Sequence, residues 1–143
     1  MRENNLQDVI IISDTACLIA FTNVNKLDVL KRTYNNIEIT PDVKYEYEKR
    51  KGNIIPDWIK IKEPKDTEFV NRLKKDFGAG ESQSIVLAVE EKENKSNVLL
   101  ILDDSDARNF AINMELNVTG TLGVINKARK KDIITLNEAM STS

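Results

Sequence analysis

Short runs of apolar residues alternate with amphipathic segments along the chain. Residues 9–12 and 98–102 consist entirely of branched apolar residues, a pattern that indicates strands covered on both faces. Briefer segments predict strands at 37–39 and 116–118, and the alternation over 58–62 predicts a short edge strand. Because helical segments separate these strands, the sequence predicts an α/β domain with a central, mainly parallel sheet of about five strands.

Apolar residues at helical spacing predict the helices between these strands. Thr40 and Pro41 form a helix start, with Thr40 as the N-cap and Pro41 in the first turn. Gly78 and Gly80 end one predicted helix, and Glu81 begins the next. The predicted helices follow residue 14, cover 26–34, start again at 40, and then span 66–77, 81–95, 105–114 and 121–131.

The charge of the chain is nearly balanced. With 21 Lys and Arg against 23 Asp and Glu, the formal net charge is −2, which excludes a wholly basic nucleic-acid binder. Any binding of a polyanion therefore requires local basic patches. The chain of 143 residues has the size of one domain, and we expect a single domain over residues 1–143.

The single cysteine and the short apolar runs indicate where in the cell the protein is located. Cys17 lies in an apolar run, so we expect a buried thiol rather than a disulfide or a nucleophile. A reducing, cytoplasmic location follows from that expectation. The apolar run at 9–12 is far too short to span a membrane, and no basic-then-apolar signal precedes it, so no membrane association is expected.

Acidic residues recur where predicted strands end or helices begin. The carboxyl ends of parallel strands line one edge of an open sheet, and carboxylates gathered there repel each other unless a cation lies between them. With no His and a single Cys in the chain, all strong candidate ligands are oxygen atoms, which favours Mg²⁺ or Mn²⁺ over zinc. The sequence therefore indicates a metal-dependent enzyme, with phosphodiester hydrolysis as the chemistry to test. The acids in these places are Asp14, Glu46, Glu81, Asp103 and Asp104.

The first two of these acids also have structural interpretations. Asp14 can cap the helix that follows, although Ser13 and Thr15 are equally good caps, so a carboxylate is not needed for capping alone. Glu46 belongs to a charged stretch, where a solvated surface residue is the ordinary case and Glu48 is a close competitor. We favour a functional role for Asp14 and leave the position within the second segment open.

The later acids carry a stronger signal. Glu81 lies in a first helical turn, where any acid is stabilised by the helix dipole, but the Gly-x-Gly before it allows close backbone approach. Asp103 and Asp104 follow a buried strand directly, and their mutual repulsion would be offset by a bound cation. One of the two can serve as a cap for the next helix, and Asp106 is a weaker, surface candidate.

Five segments of the chain resemble the motifs of PIN-domain proteins, in the same order. In one subgroup of that family, a Gly-x-Gly-Glu start replaces the aspartate that VapC-type toxins carry in the third motif, as at 78–81 here. The fourth motif of that subgroup is similar to Asp-Asp-Ser-Asp-Ala-Arg in this chain. The matching segments are 11–21, 40–46, 78–88, 99–111 and 118–131.

The resemblance implies a three-layer α/β/α nuclease fold, similar to that of flap nucleases, with an acidic pocket that binds one or two Mg²⁺ or Mn²⁺ ions and cleaves RNA. By position, Asp14, Glu46, Glu81 and Asp104 would form an acidic catalytic quartet, with Asp103 beside them. Asp14, Glu81 and Asp104 would bind the metal, which would activate water for attack on phosphorus. Glu81 stands where the commoner residue is aspartate.

The resemblance also bears on the substrate and the partners. Arg108 and Thr121 are candidates for binding the RNA substrate, together with the basic clusters at 49–51 and 129–131, whose ordinary interpretation is a solvated helix end. Many small PIN proteins are toxins inhibited by an antitoxin, and family members often form homodimers. We therefore expect the toxin of a toxin–antitoxin pair, with an antitoxin protein and a homodimer as possible partners.

Other classes of protein place acids at strand ends. An Asp-dependent phosphatase requires a second Asp two residues after the first, but residue 16 is Ala. A phospho-receiver requires its acidic pair after the first strand, whereas the pair at 103–104 follows a late strand. The remaining alternative is a catalytically silent PIN-like module that binds RNA or protein.

Overall fold

The computed structural model describes residues 9–135, and its strands form one parallel sheet with the order β3-β2-β1-β4-β5. The strands are β1 (Val9–Ser13), β2 (Asn36–Ile39), β3 (Ile59–Ile61), β4 (Asn97–Ile101) and β5 (Val118–Thr119). The helices are α1 (Thr15–Asn23), α2 (Asp28–Thr33), α3 (Pro41–Lys51), α4 (Thr67–Leu73), α5 (Ala79–Glu93), α6 (Ser105–Asn113) and α7 (Thr121–Lys130).

Helices cover both faces of the sheet, which confirms the predicted three-layer α/β/α architecture. Side chains alternate between the faces along each strand, so Ile11 and Ile12 of β1 enter different hydrophobic cores, and both are fully buried. Helices α1, α2, α3 and α7 contribute to the core around Ile11, while α4, α5 and α6 contribute to the core around Ile12. The continuous apolar runs in β1 and β4 are explained by this double coverage.

The strand order defines where a ligand can bind. From β1 the chain moves to β2 and β3 on one side, and it later returns to β4 and β5 on the other side. The order therefore reverses between β1 and β4, and a crevice at such a switch point, outside the carboxyl ends of the strands, is the usual binding site of an open α/β sheet. The acids that follow β1 and β4 in the sequence lie at this switch point.

Several predicted boundaries were wrong by a few residues. Helix α4 ends at Leu73 rather than at residue 77, and turns connect it to Gly78, the N-cap of α5. Strand β5 covers 118–119 rather than 116–118, because Leu116 closes helix α6 instead. Its N–H donates to the carbonyl of Ala111, after Glu115 at a φ of 63°, which is the Schellman arrangement.

The structure confirms the predictions for Cys17 and Thr40. Cys17 is buried with its thiol free, as predicted, and burial raises the pKa of that thiol above its ordinary value. Thr40 caps α3 through its side-chain oxygen, which accepts the N–H of Val43 at 3.4 Å. Among residues 9–135, no helix has the length and apolar character needed to cross a membrane.

Candidate active site

A pocket of about 430 Å³ opens beside the carboxyl ends of β1 and β4, and all five predicted acids line it. The acids come from the β1–α1 junction, from α3, from the first turn of α5 and from the β4–α6 junction. Acids that are far apart in the sequence therefore share one wall of the molecule. They are Asp14, Glu46, Glu81, Asp103 and Asp104.

Asp14 is the most buried of these acids and has both carboxylate oxygens engaged. Oδ1 accepts the N–H of Cys17 at 2.9 Å, so Asp14 is the N-cap of α1. Oδ2 accepts the N–H of Asp103, which follows the neighbouring strand β4, at 2.9 Å. Burial raises the pKa of Asp14 to about 7, the two N–H groups lower it, and repulsion from Asp103 and Glu81 raises it further. Capping and an uncompensated buried charge thus coexist at this position.

The neighbours Asp103 and Asp104 have different environments. Both oxygens of Asp103 bind one residue, since Oδ1 accepts the Thr121 N–H at 2.7 Å and Oδ2 accepts the Thr121 hydroxyl at 2.5 Å. Asp104 caps α6, because its Oδ2 accepts the N–H of Ala107 at 2.9 Å. The other oxygen of Asp104 accepts no hydrogen bond from the described residues, so Asp104 has the freer carboxylate of the two.

The two glutamates enter the pocket from helices on opposite faces of the sheet. Glu46 accepts a hydrogen bond from the Thr15 hydroxyl at 2.6 Å through Oε1. Glu81 accepts the N–H of Gly78 at 3.2 Å. Partial burial raises the pKa of Glu81, the Gly78 N–H lowers it, and repulsion from Asp104 and Glu46 raises it.

The competitor of Glu46 lies elsewhere. Glu48 accepts hydrogen bonds from the ammonium of Lys44 at 2.9 Å and from the N–H of Ile55 at 3.1 Å. These contacts attach the loop after α3 to that helix, and Glu48 is not among the residues that line the acidic pocket. The structure therefore brings Glu46, and not Glu48, to the other acids.

Cationic side chains lie at the edge of the site. Arg50 lines the acidic pocket, one helical turn after Glu46. Arg108 and Thr121 line an adjacent pocket of about 630 Å³, which shares Asp103 with the acidic one. Arg108 Nε is buried and has no hydrogen-bond partner in the described part of the chain.

Of the two predicted basic clusters, only one residue lines the acidic pocket. In the first cluster only Arg50 reaches the pocket, because Lys49 lies over the Tyr45 ring and Lys51 donates to Asn23. The second cluster, 129–131, lies at the opposite end of α7 from Thr121, and a helix of 10 residues is about 15 Å long. The place of each cation on its helix, rather than the local density of charge, therefore decides which cations lie near the acids.

The donor set suits a hard divalent cation. All candidate ligands are carboxylate oxygens, and within residues 9–135 no Lys or Arg forms an ion pair with any of the five acids. Burial, with a smaller contribution from repulsion by Asp103 and Glu81, raises the pKa of Asp14, and a bound cation would offset both effects. In the same residues, no three Asp, Glu or Cys side chains converge closely enough to hold one ion. The type and charge of the ligands therefore fit Mg²⁺ or Mn²⁺, whereas their convergence is incomplete.

Two residues that contact Glu46 were given no role in the site by the sequence analysis. Thr15 was considered only as an alternative cap of α1, and Gly80 only as a helix stop and a point of close approach. The structure places both against Glu46, which lies 31 residues from Thr15 in the sequence. The Gly-x-Gly spacing was the available signal, but it did not identify the partner.

The described residues form a three-layer α/β/α protein with carboxylates gathered at the switch point of its sheet. The DUF3368 family model, described as a PIN domain, matches residues 10–142. The chain therefore belongs to this PIN-domain family, whose members are generally nucleases that use divalent metals. No curated protein and no solved structure gives a significant match to the chain.

Proposed function

We propose that this protein is a Mg²⁺- or Mn²⁺-dependent endoribonuclease. The observation that carries the proposal is the gathering of five carboxylates in one pocket without an ion-pair partner among the described residues. Such an arrangement is costly unless a cation or a proton offsets the charge. Membership of the PIN-domain family supports phosphodiester hydrolysis and an RNA substrate.

Asp14, Glu81 and Asp104 would hold the cation. A divalent ion bound there would lower the pKa of a coordinated water and neutralise charge on the phosphate. Asp14 is fixed by two backbone N–H groups, while Glu81 and Asp104 each use one oxygen for a backbone N–H. Each of these two side chains therefore keeps an oxygen for the ion.

The remaining residues of the site would orient the other groups. Asp103 holds the start of α7 through Thr121, so we assign to this pair the shaping of the pocket wall where RNA binds. Arg108 faces the same wall and would contact a phosphate of the substrate, as would Arg50 on the other side. Glu46, held by Thr15, would act on the attacking water or on a second ion.

A cleavage assay tests this function. The protein is incubated with a mixed pool of RNA and Mn²⁺, with Mg²⁺, or with EDTA, and the products are separated on a gel. We expect internal cleavage with either ion and none with EDTA. Calorimetric titration of the same protein should show saturable binding of Mn²⁺ at millimolar concentration or below. Melting curves recorded with Mn²⁺ should show a higher melting temperature than those without it.

Two results would favour the alternative, a catalytically silent PIN-like module. One is saturable binding of the ion without cleavage of any RNA, and the other is RNA binding that EDTA does not change. An absence of both cleavage and ion binding would contradict the metal site itself.

The biological setting is a further part of the proposal. We propose that the protein is the toxin of a toxin–antitoxin pair in the cytoplasm, forms one domain over residues 1–143, and associates as a homodimer. The toxin role and the homodimer are supported by the family resemblance, and the reducing compartment by the free, buried Cys17. A gene for a small antitoxin beside this one, and neutralisation of growth arrest by its product, would test the toxin role. Light scattering would test the homodimer.

A further inference from the structure

Glu46 is confined from two sides by two uncharged residues, Thr15 and Gly80. The Thr15 hydroxyl donates to Glu46 Oε1 at 2.6 Å, from the first residue of α1. Gly80 lies against the same oxygen, since a Cβ atom at Gly80 would be 2.6 Å from Glu46 Oε1. That Cβ would also be 3.1 Å from a methyl group of Val43, so the first turn of α5 packs closely on α3.

These contacts fix which oxygen of Glu46 remains available. Thr15 is 7 % exposed, so the donor of this part-buried, charge-assisted hydrogen bond is shielded from water. Glu46 Oε2 accepts no hydrogen bond from the described residues, and Glu46 lines the acidic pocket. A glutamate on an exposed helix face has several rotamers, and the contact with Thr15 selects one of them.

We propose that Thr15 and Gly80 are positioning residues: they hold Glu46 by one oxygen and present the other to the reacting groups in the pocket. This inference rests on the proposed nuclease function, because it assigns to both residues an effect on cleavage through Glu46. Gly80 is required there because it lacks a Cβ, and its backbone conformation plays no part. Thr15 is required for its hydroxyl, which serine also supplies.

The α1–α3 interface offers a matched control. Thr22, two turns after Thr15 on the same helix, shares a hydrogen bond of 2.9 Å with the hydroxyl of Tyr47 on α3. Both threonines thus join the same two helices through one side-chain hydrogen bond, but neither Thr22 nor Tyr47 lines the acidic pocket. Replacing either threonine by valine removes a hydroxyl and keeps the shape of the side chain.

The experiment compares Thr15→Val, Thr15→Ser and Thr22→Val in single-turnover and steady-state cleavage of RNA with Mn²⁺. We expect Thr15→Val to lower kcat by about tenfold to a hundredfold, with KM for RNA changed less than about twofold. Thr15→Ser should restore kcat to within about threefold of the wild type, and Thr22→Val should leave it unchanged. Circular dichroism and melting curves check that all three variants fold.

A double-mutant cycle tests whether the two residues act through Glu46. Gly80→Ala should lower kcat in the wild-type background, because its Cβ displaces the carboxylate. In a Glu46→Gln background, the residual rate measured at high enzyme concentration should be unaffected by Gly80→Ala or Thr15→Val, since the group they position is already lost.

The outcomes separate this inference from the proposed function. Active wild-type protein with full activity in Thr15→Val would overturn the positioning role and leave the nuclease function intact. Additive losses in the double-mutant cycle would also overturn it, as they would show that Thr15 and Gly80 act elsewhere. Inactive wild-type protein would overturn the proposed function, and the positioning role with it.

Discussion

The backbone N–H of Asp103 donates to the Asp14 carboxylate at 2.9 Å, and this hydrogen bond joins the segments that follow the adjacent strands β1 and β4 beside the acidic pocket. Asp14 therefore has two functions that a single substitution changes together. It links the two strand ends and caps α1, and it also contributes the most buried charge of the site. Effects on folding and on cleavage must be measured separately at this position.

Asp14→Asn should abolish cleavage and also perturb the fold locally. A carboxamide has one acceptor oxygen and one amino group, so either the N–H of Cys17 or that of Asp103 loses its acceptor. An unpaired buried N–H costs about 1–3 kcal/mol, a cost that the removal of a buried charge opposes at pH 8. Cleavage of RNA and urea unfolding measure the two effects. Asp66→Asn is the control, because Asp66 caps α4 through one oxygen and does not line the acidic pocket, and it should cleave normally.

In the absence of metal, the stability that depends on Asp14 should fall as the pH rises from about 4 to about 7. The pKa of Asp14 is about 7 in the folded protein, against 3.8 for the free side chain, so in this window the folded state retains a proton that the unfolded state has lost. The integrated effect is roughly 4 kcal/mol at most. Between pH 4 and 8, the stability of the wild type should fall relative to that of Asp14→Asn, and saturating Mn²⁺ should remove much of this pH dependence. A parallel pair of curves would contradict the raised pKa.

The stability of the protein should also depend on pH through Glu38, a buried acid that does not line the acidic pocket, and Mn²⁺ should not change that dependence. Glu38 on β2 is 7 % exposed, and its Oε1 has no hydrogen-bond partner in residues 9–135. Burial, and to a lesser extent repulsion from Glu91, raises the pKa of Glu38 to about 7. The Lys62 ammonium, whose Nζ lies 2.5 Å from Glu91 Oε2, lowers that pKa by a smaller amount. Glu38→Gln should therefore stabilise the protein at pH 8 more than at pH 5, with or without Mn²⁺. Equal effects at both pH values would show that Glu38 is ionised throughout.

Substitution of two neighbouring glutamates on α3 tests the register of the second motif. Glu46→Gln should reduce cleavage strongly, because Glu46 lines the acidic pocket. Glu48→Gln should leave kcat unchanged and lower the melting temperature slightly, since it weakens contacts with Lys44 and with the N–H of Ile55. The same gel assay and a melting curve serve for both variants. The reverse pattern of activity would place Glu48 in the site.

Much of the fold could be predicted from the sequence because β1 and β4 are covered on both faces. Their continuous apolar runs identify central strands, and the acids that follow them identify the functional edge. The boundary errors came from tertiary and capping effects. Leu116 extends no strand because its N–H closes α6, and this depends on a positive φ at Glu115 that no apolar pattern reveals.

The gathering of the five acids in one pocket could be predicted from the sequence, but their individual contacts could not. Asp103 and Asp104 are equivalent in the sequence, and they are distinguished by their contacts: Asp103 binds Thr121, 18 residues away, whereas Asp104 caps α6. Likewise, the competition between Glu46 and Glu48 is decided by the position of each around α3 relative to α1 and α5. Local patterns name the acids, whereas long-range contacts determine which oxygens remain available to a ligand.

The most direct test of the proposed function compares Asp104→Asn with Asp106→Asn in metal-dependent cleavage. Asparagine keeps the capping of α6 at position 104, and Asp106 is an exposed acid two residues further on that does not line the pocket. With Mn²⁺ and a mixed RNA pool, the wild type and Asp106→Asn should cleave at similar rates, EDTA should stop both, and Asp104→Asn should be inactive while folded. Normal cleavage by Asp104→Asn, or wild-type cleavage that persists in EDTA, would contradict a metal-dependent nuclease centre in this pocket.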